Sequence, residues 1–143
     1  MDIESIKNIL DYSIIAILGF MSFLTVWIWI ERLIFYKKVN IKDYIHKEEL
    51  EIDITNNISV ISTIASNAPY IGLLGTVIGI IITFYEMGIN GDLAVTNIMT
   101  SLALALKATA MGLIVAIPAI IFYNHLVRKI EVILAKWNIA NEN

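Results

Sequence analysis

No cysteine occurs in this sequence, which excludes both a disulfide framework and thiolate chemistry. Charge is scarce as well. Asp, Glu, Lys and Arg make up 16% of the 143 residues, where proteins overall carry about 25%. The net charge of −3 says little about partners, and a basic footprint for nucleic acid is missing. The two histidines, His46 and His125, lie too far apart in sequence to define a site, and no metal cluster or Ser–His–Asp combination is visible. GLLGTVIG, residues 72–79, is neither G-x-G-x-x-G after a strand nor G-x-x-x-x-G-K-[ST], so no phosphate loop is present. Internal repeats and low-complexity tracts are absent too. Neither an enzyme, a metal nor a cofactor is expected.

What remains is apolar. Hydrophobic residues are 58% of the chain, and they come in three long runs. Ser13 to Ile30 holds 18 residues without a charge, Ala68 to Tyr85 another 18, and Ile98 to Tyr123 holds 26 interrupted only by Lys107. A bilayer core of about 30 Å needs roughly 20 residues of helix. The expectation is an all-α membrane protein forming one domain, with spans at about 12–30, 68–87 and 98–123. The first run does not read as a cleaved signal peptide, because Asp2 and Glu4 precede it and no A-x-A site follows.

Basic residues set the expected orientation. Arg32, Lys37, Lys38, Lys42 and Lys47 follow the first run; Arg128, Lys129 and Lys136 follow the third. The arm before the first run has only Lys7, and EMGINGDLAVTN, residues 86–97, has no Lys or Arg. The loop 31–66 and the tail 124–143 are therefore expected in the cytoplasm, with the N-terminus periplasmic and the C-terminus cytoplasmic. Trp27, Trp29, Phe35 and Tyr36 suit an interfacial aromatic belt at the inner end of span one. Ile130, Ile133, Leu134 and Trp137 recur at helical spacing. The third helix is thus expected to be long, to leave the membrane and to pack against the loop.

Glycine is concentrated where a soluble helix would suffer from it. NAPYIGLLGTVIGI, residues 67–80, carries Gly72, Gly75 and Gly79 around Thr76. Each glycine costs about 1 kcal/mol relative to alanine in a helix. At 100° per residue, Gly72, Thr76, Gly79 and Thr83 share one face, with Gly75 beside them. Span three repeats the pattern with Ser101, Ala105, Ala108, Thr109, Gly112, Ala116 and Ala119. Small faces allow close helix approach in lipid, where hydrophobic force between helices is weak. Three spans cannot surround a pore alone. Several copies about an axis would turn the two stripes into the wall of a cavity, with Thr76, Thr109 and Thr83 as its polar points. Plain helix packing is the alternative for both stripes.

APYIGLLGTVIGI together with LKATAMGLIVAIPAIIFYN resembles the ExbB/TolQ/MotA family of proton-driven motor subunits, over about residues 67–128. The short loop and tail look closest to the small ExbB class. The resemblance implies a homo-oligomeric ring, typically a pentamer, in the bacterial inner membrane. Within it would sit an ExbD-like single-span protein that supplies a proton-carrying Asp, and a TonB-like protein would pass the motion to outer-membrane transporters. It also implies that the threonines of GLxGT and LxATAxGL, here Thr76 and Thr109, line the pore. A glutamate often found in the family five residues before the second threonine corresponds here to Leu104. A TolQ-like output in envelope maintenance, a purely structural scaffold and a self-sufficient channel are the alternatives.

The residues themselves also call for a partner. A proton path needs a titratable group within the membrane, yet Asp11, Glu31, Glu86 and Asp92 all lie at or beyond the edge of a span. Threonine hydroxyls order water or donate to a carboxylate without carrying a proton charge. Lys107 stands on the far side of its helix from the small stripe. It is expected to snorkel outward along its apolar stem, with an inter-subunit pair to Glu86 or Asp92 or a direct proton role as alternatives. Pro118 removes one helical hydrogen bond and is expected to kink the third span.

Overall fold

Backbone polar groups have no partner in lipid, so each apolar run must satisfy its own N–H and C=O groups, and the helix does so. The computed structural model describes residues 1–91 and 94–142. Its four α-helices are α1 (Ile3–Lys38), α2 (Lys47–Ile54), α3 (Ile58–Asn90) and α4 (Val95–Ala140). A 3-10 turn, Ile41–Asp43, lies between α1 and α2. Helices α1, α3 and α4 are each long and apolar enough to cross a membrane.

All three outgrow the apolar runs inside them. Helix α1 opens on Asp2, whose side chain accepts from the Ser5 N–H at 3.2 Å. The Ser5 side chain and its backbone N–H together hold the Asp2 carboxyl below its usual range. Glu4 sits in the first turn and Lys37 and Lys38 in the last, each sign matching the helix dipole. Helix α3 starts at Ile58, ten residues before the apolar run, after Asn57 at φ +65°, a left-handed position that asparagine tolerates better than most residues. Most of 31–66, expected as a loop, is therefore helical. Helix α4 is assigned as one helix of 46 residues through Pro118.

Residue pairing fixes the directions. Gly79 faces Ala105 while Gly72 faces Gly112, so α3 and α4 are antiparallel. Lys7 meets Glu86 and Ile14 meets Gly75, so α1 is antiparallel to α3 and runs alongside α4.

At one end a compact apolar cluster forms where α2 covers the long helices. Ile28, Leu50, Ile54, Ile61, Leu126 and Ile130 are all buried there. Ile133, Leu134 and Trp137 extend the same stripe of α4 onto it, so the helical periodicity of the tail packs against the loop segment as its sequence predicts. Arg32 locks the junction. Only 4% exposed, it places two guanidinium nitrogens on the Glu31 carboxylate at 2.6 Å and a third on the Asp53 carbonyl at 2.8 Å. Its plane lies 4.4 Å over the Phe35 ring. Tyr36 adds a bond from its hydroxyl to the Ile54 carbonyl at 2.6 Å. Burial pushes its phenol up to about 12, so it remains a neutral donor.

Arg32 is irreplaceable by lysine here, because one ammonium cannot serve a forked carboxylate and a carbonyl together. Arg32→Lys is expected to destabilise the full chain by about 1–2 kcal/mol and Arg32→Ala by about 2–3 kcal/mol, read as thermal midpoints in detergent. The Glu31 carboxyl is held below its ordinary value of 4.5 by its bonds to Arg32. Its contribution is present above that pH and is lost as pH falls through the lower folded value. The wild type should therefore lose the Glu31 share of its advantage over Arg32→Ala at acid pH, while the Asp53 carbonyl bond and the Phe35 contact persist; a gap independent of pH would refute the pairing.

Candidate functional site

The two small-residue stripes meet each other inside one chain. Gly72 and Gly112 lie so close that a Cβ built on Gly112 would stand 2.6 Å from the Ala68 carbonyl oxygen and 3.0 Å from the Gly72 Cα. A Cβ on Gly72 would stand 2.5 Å from the Ala108 carbonyl oxygen. Further along, Gly79 faces the Ala105 methyl and Gly75 faces Ala108 and Ile14. Ala116 is fully buried beside Ala68. In the structure Gly72, Gly75, Gly112 and Ala116 lie within the chain's own helix contacts, where two smooth faces on neighbouring antiparallel helices meet.

The close approach brings Thr76 and Thr109 together. Thr76 is buried, 6% exposed, and its hydroxyl donates to the Ala105 carbonyl across the seam at 2.8 Å. The Thr109 hydroxyl lies 2.5 Å from the Thr76 oxygen. A threonine has one hydroxyl proton. Since that of Thr76 is committed to Ala105, Thr109 is the donor of this pair. Both protons therefore point into the seam, and the half-buried Thr109 oxygen keeps accepting capacity only.

Thr83 lies two turns further along α3, buried, with its hydroxyl on the Gly79 carbonyl at 2.9 Å. It borders a small cavity of about 80 Å³ shared with Lys7, Asp11 and Ser101. Pro118 sits exposed on α4, away from the threonines. Lys107 and Leu104 are exposed and face the α1 side. Of the acids weighed as partners for Lys107, Glu86 is taken by Lys7 of the same chain at 2.6 Å, and Asp92 lies outside the described residues. Among the described residues no group of His, Asp and Glu could hold a metal.

Sequence reasoning missed three polar contacts: Lys7 with Glu86, the Arg32 fork, and Trp29, whose indole N–H donates to His125 Nδ1 at 3.3 Å. Trp29 also stacks on Phe122 at 4.3 Å. Lys7–Glu86 and Trp29–His125 join residues 79 and 96 apart, and the fork couples the neighbouring Glu31 to the Asp53 carbonyl 21 residues on, so only the adjacent Glu31–Arg32 pair stood in the local sequence.

The profile of the MotA/TolQ/ExbB proton channel family matches residues 28–139. The chain belongs to this family. It is 50% identical over 134 residues to the biopolymer transport protein ExbB of Helicobacter pylori, covering 94% of this chain and 92% of that protein. It is 49% identical over 134 residues to the ExbB of Aquifex aeolicus, covering 94% and 90%. The Tol-Pal system protein TolQ of Pseudomonas aeruginosa is 33% identical over 93 residues, covering 65% of this chain and 39% of that protein. The chain is a short, ExbB-like, multi-pass membrane member of a proton-channel family, which is not a family of enzymes. Its three apolar helices and these relatives are consistent with the bacterial inner membrane.

The seam itself is testable without knowledge of the function. Gly112→Ala and Gly72→Ala should each destabilise the folded chain by about 1–3 kcal/mol, since the new methyl meets a backbone oxygen that cannot turn aside. Gly79→Ala should cost less, because only the Ala105 methyl is pressed. Gly19→Ala and Gly88→Ala, with open space around them, should be silent. Equal thermal midpoints for Gly112→Ala and Gly88→Ala would eliminate the seam as a determinant of stability.

Proposed function

We propose that this chain is the wall subunit of an ExbB-like proton-driven motor. It acts with an ExbD-like single-span partner and energises TonB-dependent transport across the outer membrane. In this reading several copies, five in the arrangement the family resemblance implies, form a ring. The N-terminus lies in the periplasm and the tail in the cytoplasm. Orientation is supported by charge: Lys37, Arg128, Lys129 and Lys136 gather around one groove between α1 and α4, and clustered cations mark the cytoplasmic side. The ExbB assignment is preferred to TolQ because the ExbB relatives match over nearly the whole chain, with higher identity.

The observation that carries the reading is the Thr76–Thr109 pair. A polar contact in the apolar middle of two spans has to be satisfied locally, and here it is, with one accepting oxygen left over at Thr109. Every acid on this chain lies at or beyond the end of an apolar run, so the titrating carboxyl comes from the partner. While protonated, that carboxyl is a donor. Thr109 accepts from it directly, and no longer can once the proton has left. The wall therefore favours the neutral carrier at one depth, as a cycle of protonation and movement requires.

The magnitude decides how sensitive the cycle is. A neutral hydrogen bond contributes about 0.5–1.5 kcal/mol, against about 2.3 kcal/mol for a proton moving through 100 mV. Losing it slows the cycle without unfolding the chain. Thr109→Val should keep assembly with the partner, judged by native mass, and reduce energised uptake roughly 5- to 10-fold. Thr76→Val should act similarly, because Thr109 loses the acceptor that orients it. Thr109→Ser should retain activity. Thr63→Val is the control: its hydroxyl bonds the Ser59 carbonyl on an exposed turn and should be dispensable. Full uptake by the Thr76→Val, Thr109→Val double variant would defeat the assignment. Flux through the chain alone in vesicles would favour a self-sufficient channel, and none with the partner a scaffold.

A further inference from the structure

Lys107 stands twelve residues beyond the first residue of α4, about 18 Å along the axis at 1.5 Å per residue. The position lies nine residues inside the apolar run that opens at Ile98. An ionised side chain at such a position pairs with another group or faces water. Glu86 is already engaged by Lys7.

The α1/α4 register supplies a different acid. Trp29 on α1 contacts His125 on α4, 96 residues away in sequence. Asp11 precedes Trp29 by 18 residues and Lys107 precedes His125 by 18. Eighteen residues make five full helical turns at 3.6 per turn, so on two helices running in the same direction Asp11 faces Lys107 as Trp29 faces His125. The cavities agree. The exposed Asp11 and Lys107 line one open space of about 80 Å³ between α1 and α4, together with Ile14, Ile15, Leu104 and Met111. Asp11 also borders the neighbouring cavity with Ser101 and Thr83. Among the described residues no direct ion pair joins Asp11 and Lys107, and the space between them is large enough for water.

We propose that Asp11 is the counter-ion of Lys107 within the same chain, the carboxylate and ammonium pairing through water in the α1/α4 cavity. The pair neutralises the one charge inside the third apolar run and holds α1 on α4 at the end remote from the Arg32 junction. It assigns to Lys107 a fixed partner in place of outward snorkelling.

A double-mutant cycle on the full chain in lipid nanodiscs tests the pair, and its readout does not depend on proton flux. Asp11→Asn and Lys107→Gln should each lower the thermal midpoint by about 3–6 °C. The double variant should lose clearly less than the two losses added. Asp11→Glu should stay near wild type, and the reversed pair Asp11→Lys, Lys107→Asp should recover most of the loss. Strictly additive losses, or a reversed pair no better than either single variant, would overturn the proposal. Because the chain has no cysteine, Asp11→Cys with Lys107→Cys provides a second test. A short bis-maleimide should join the two sites within one chain, seen by peptide mass. A ladder of linked chains, or no link, would reject the same-chain pairing.

Discussion

The contact between Gly72 and Gly112 is the constraint on which the rest of the chain depends. It lets the axes of α3 and α4 approach until backbone meets backbone, a distance that any side chain would prevent. In lipid, helices gain little from excluding water, and close packing has to supply the attraction. The glycines therefore give up helix propensity in exchange for contact area. The same approach brings the Thr76 hydroxyl within reach of the Ala105 carbonyl. A wider seam would leave both threonines without partners in an apolar medium, where an unsatisfied polar group is costly.

A seam of two helices is a narrow object, and α1 keeps it from rotating. One end is fastened by aromatic and charged contacts: Trp29 on Phe122 and His125, Arg32 on Glu31 and the Asp53 carbonyl, Tyr36 on the Ile54 carbonyl. At the other end Lys7 ties α1 to Glu86 of α3. Between them Ile14 and Leu18 pack on Ala68 and Ala116. Among the described residues every buried side-chain nitrogen and oxygen has a partner. Many outward residues are large and apolar, Phe20, Phe23, Ile81, Phe84 and Ile114 among them, as lipid or neighbouring helices would require.

Function and fold meet at Thr109. Its proton is used inside the chain and its oxygen is half exposed, so the same bond that completes the seam fixes the polarity of what the chain offers outward. A wall that only accepts hydrogen bonds distinguishes a protonated carboxyl from a carboxylate. In the proposed reading such discrimination needs no titratable group on the wall itself, in keeping with a family of proton channels.

Much of this was legible in the sequence for a physical reason: a bilayer imposes length and polarity limits that a single chain must obey residue by residue. The three apolar runs, the amphipathic tail through Ile130 and Trp137, and the small stripes of Gly72–Gly79 and Ala105–Ala116 follow from those limits alone. Helix ends did not follow, because caps such as Asp2 and Asn57 and the covering helix α2 carry helices beyond the apolar segments. Partner choice did not follow either. Periodicity says that a face is smooth, but only the antiparallel seam decides that two smooth faces of one chain meet each other, burying Thr76 and Thr83 and leaving Thr109 half exposed. It takes the register between α1 and α4 to set Asp11 opposite Lys107 and Trp29 opposite His125, since residues 96 apart share no local pattern. Local pattern limits what each helix can bury, and three-dimensional packing selects the surface that covers it, because packing is a property of pairs of faces.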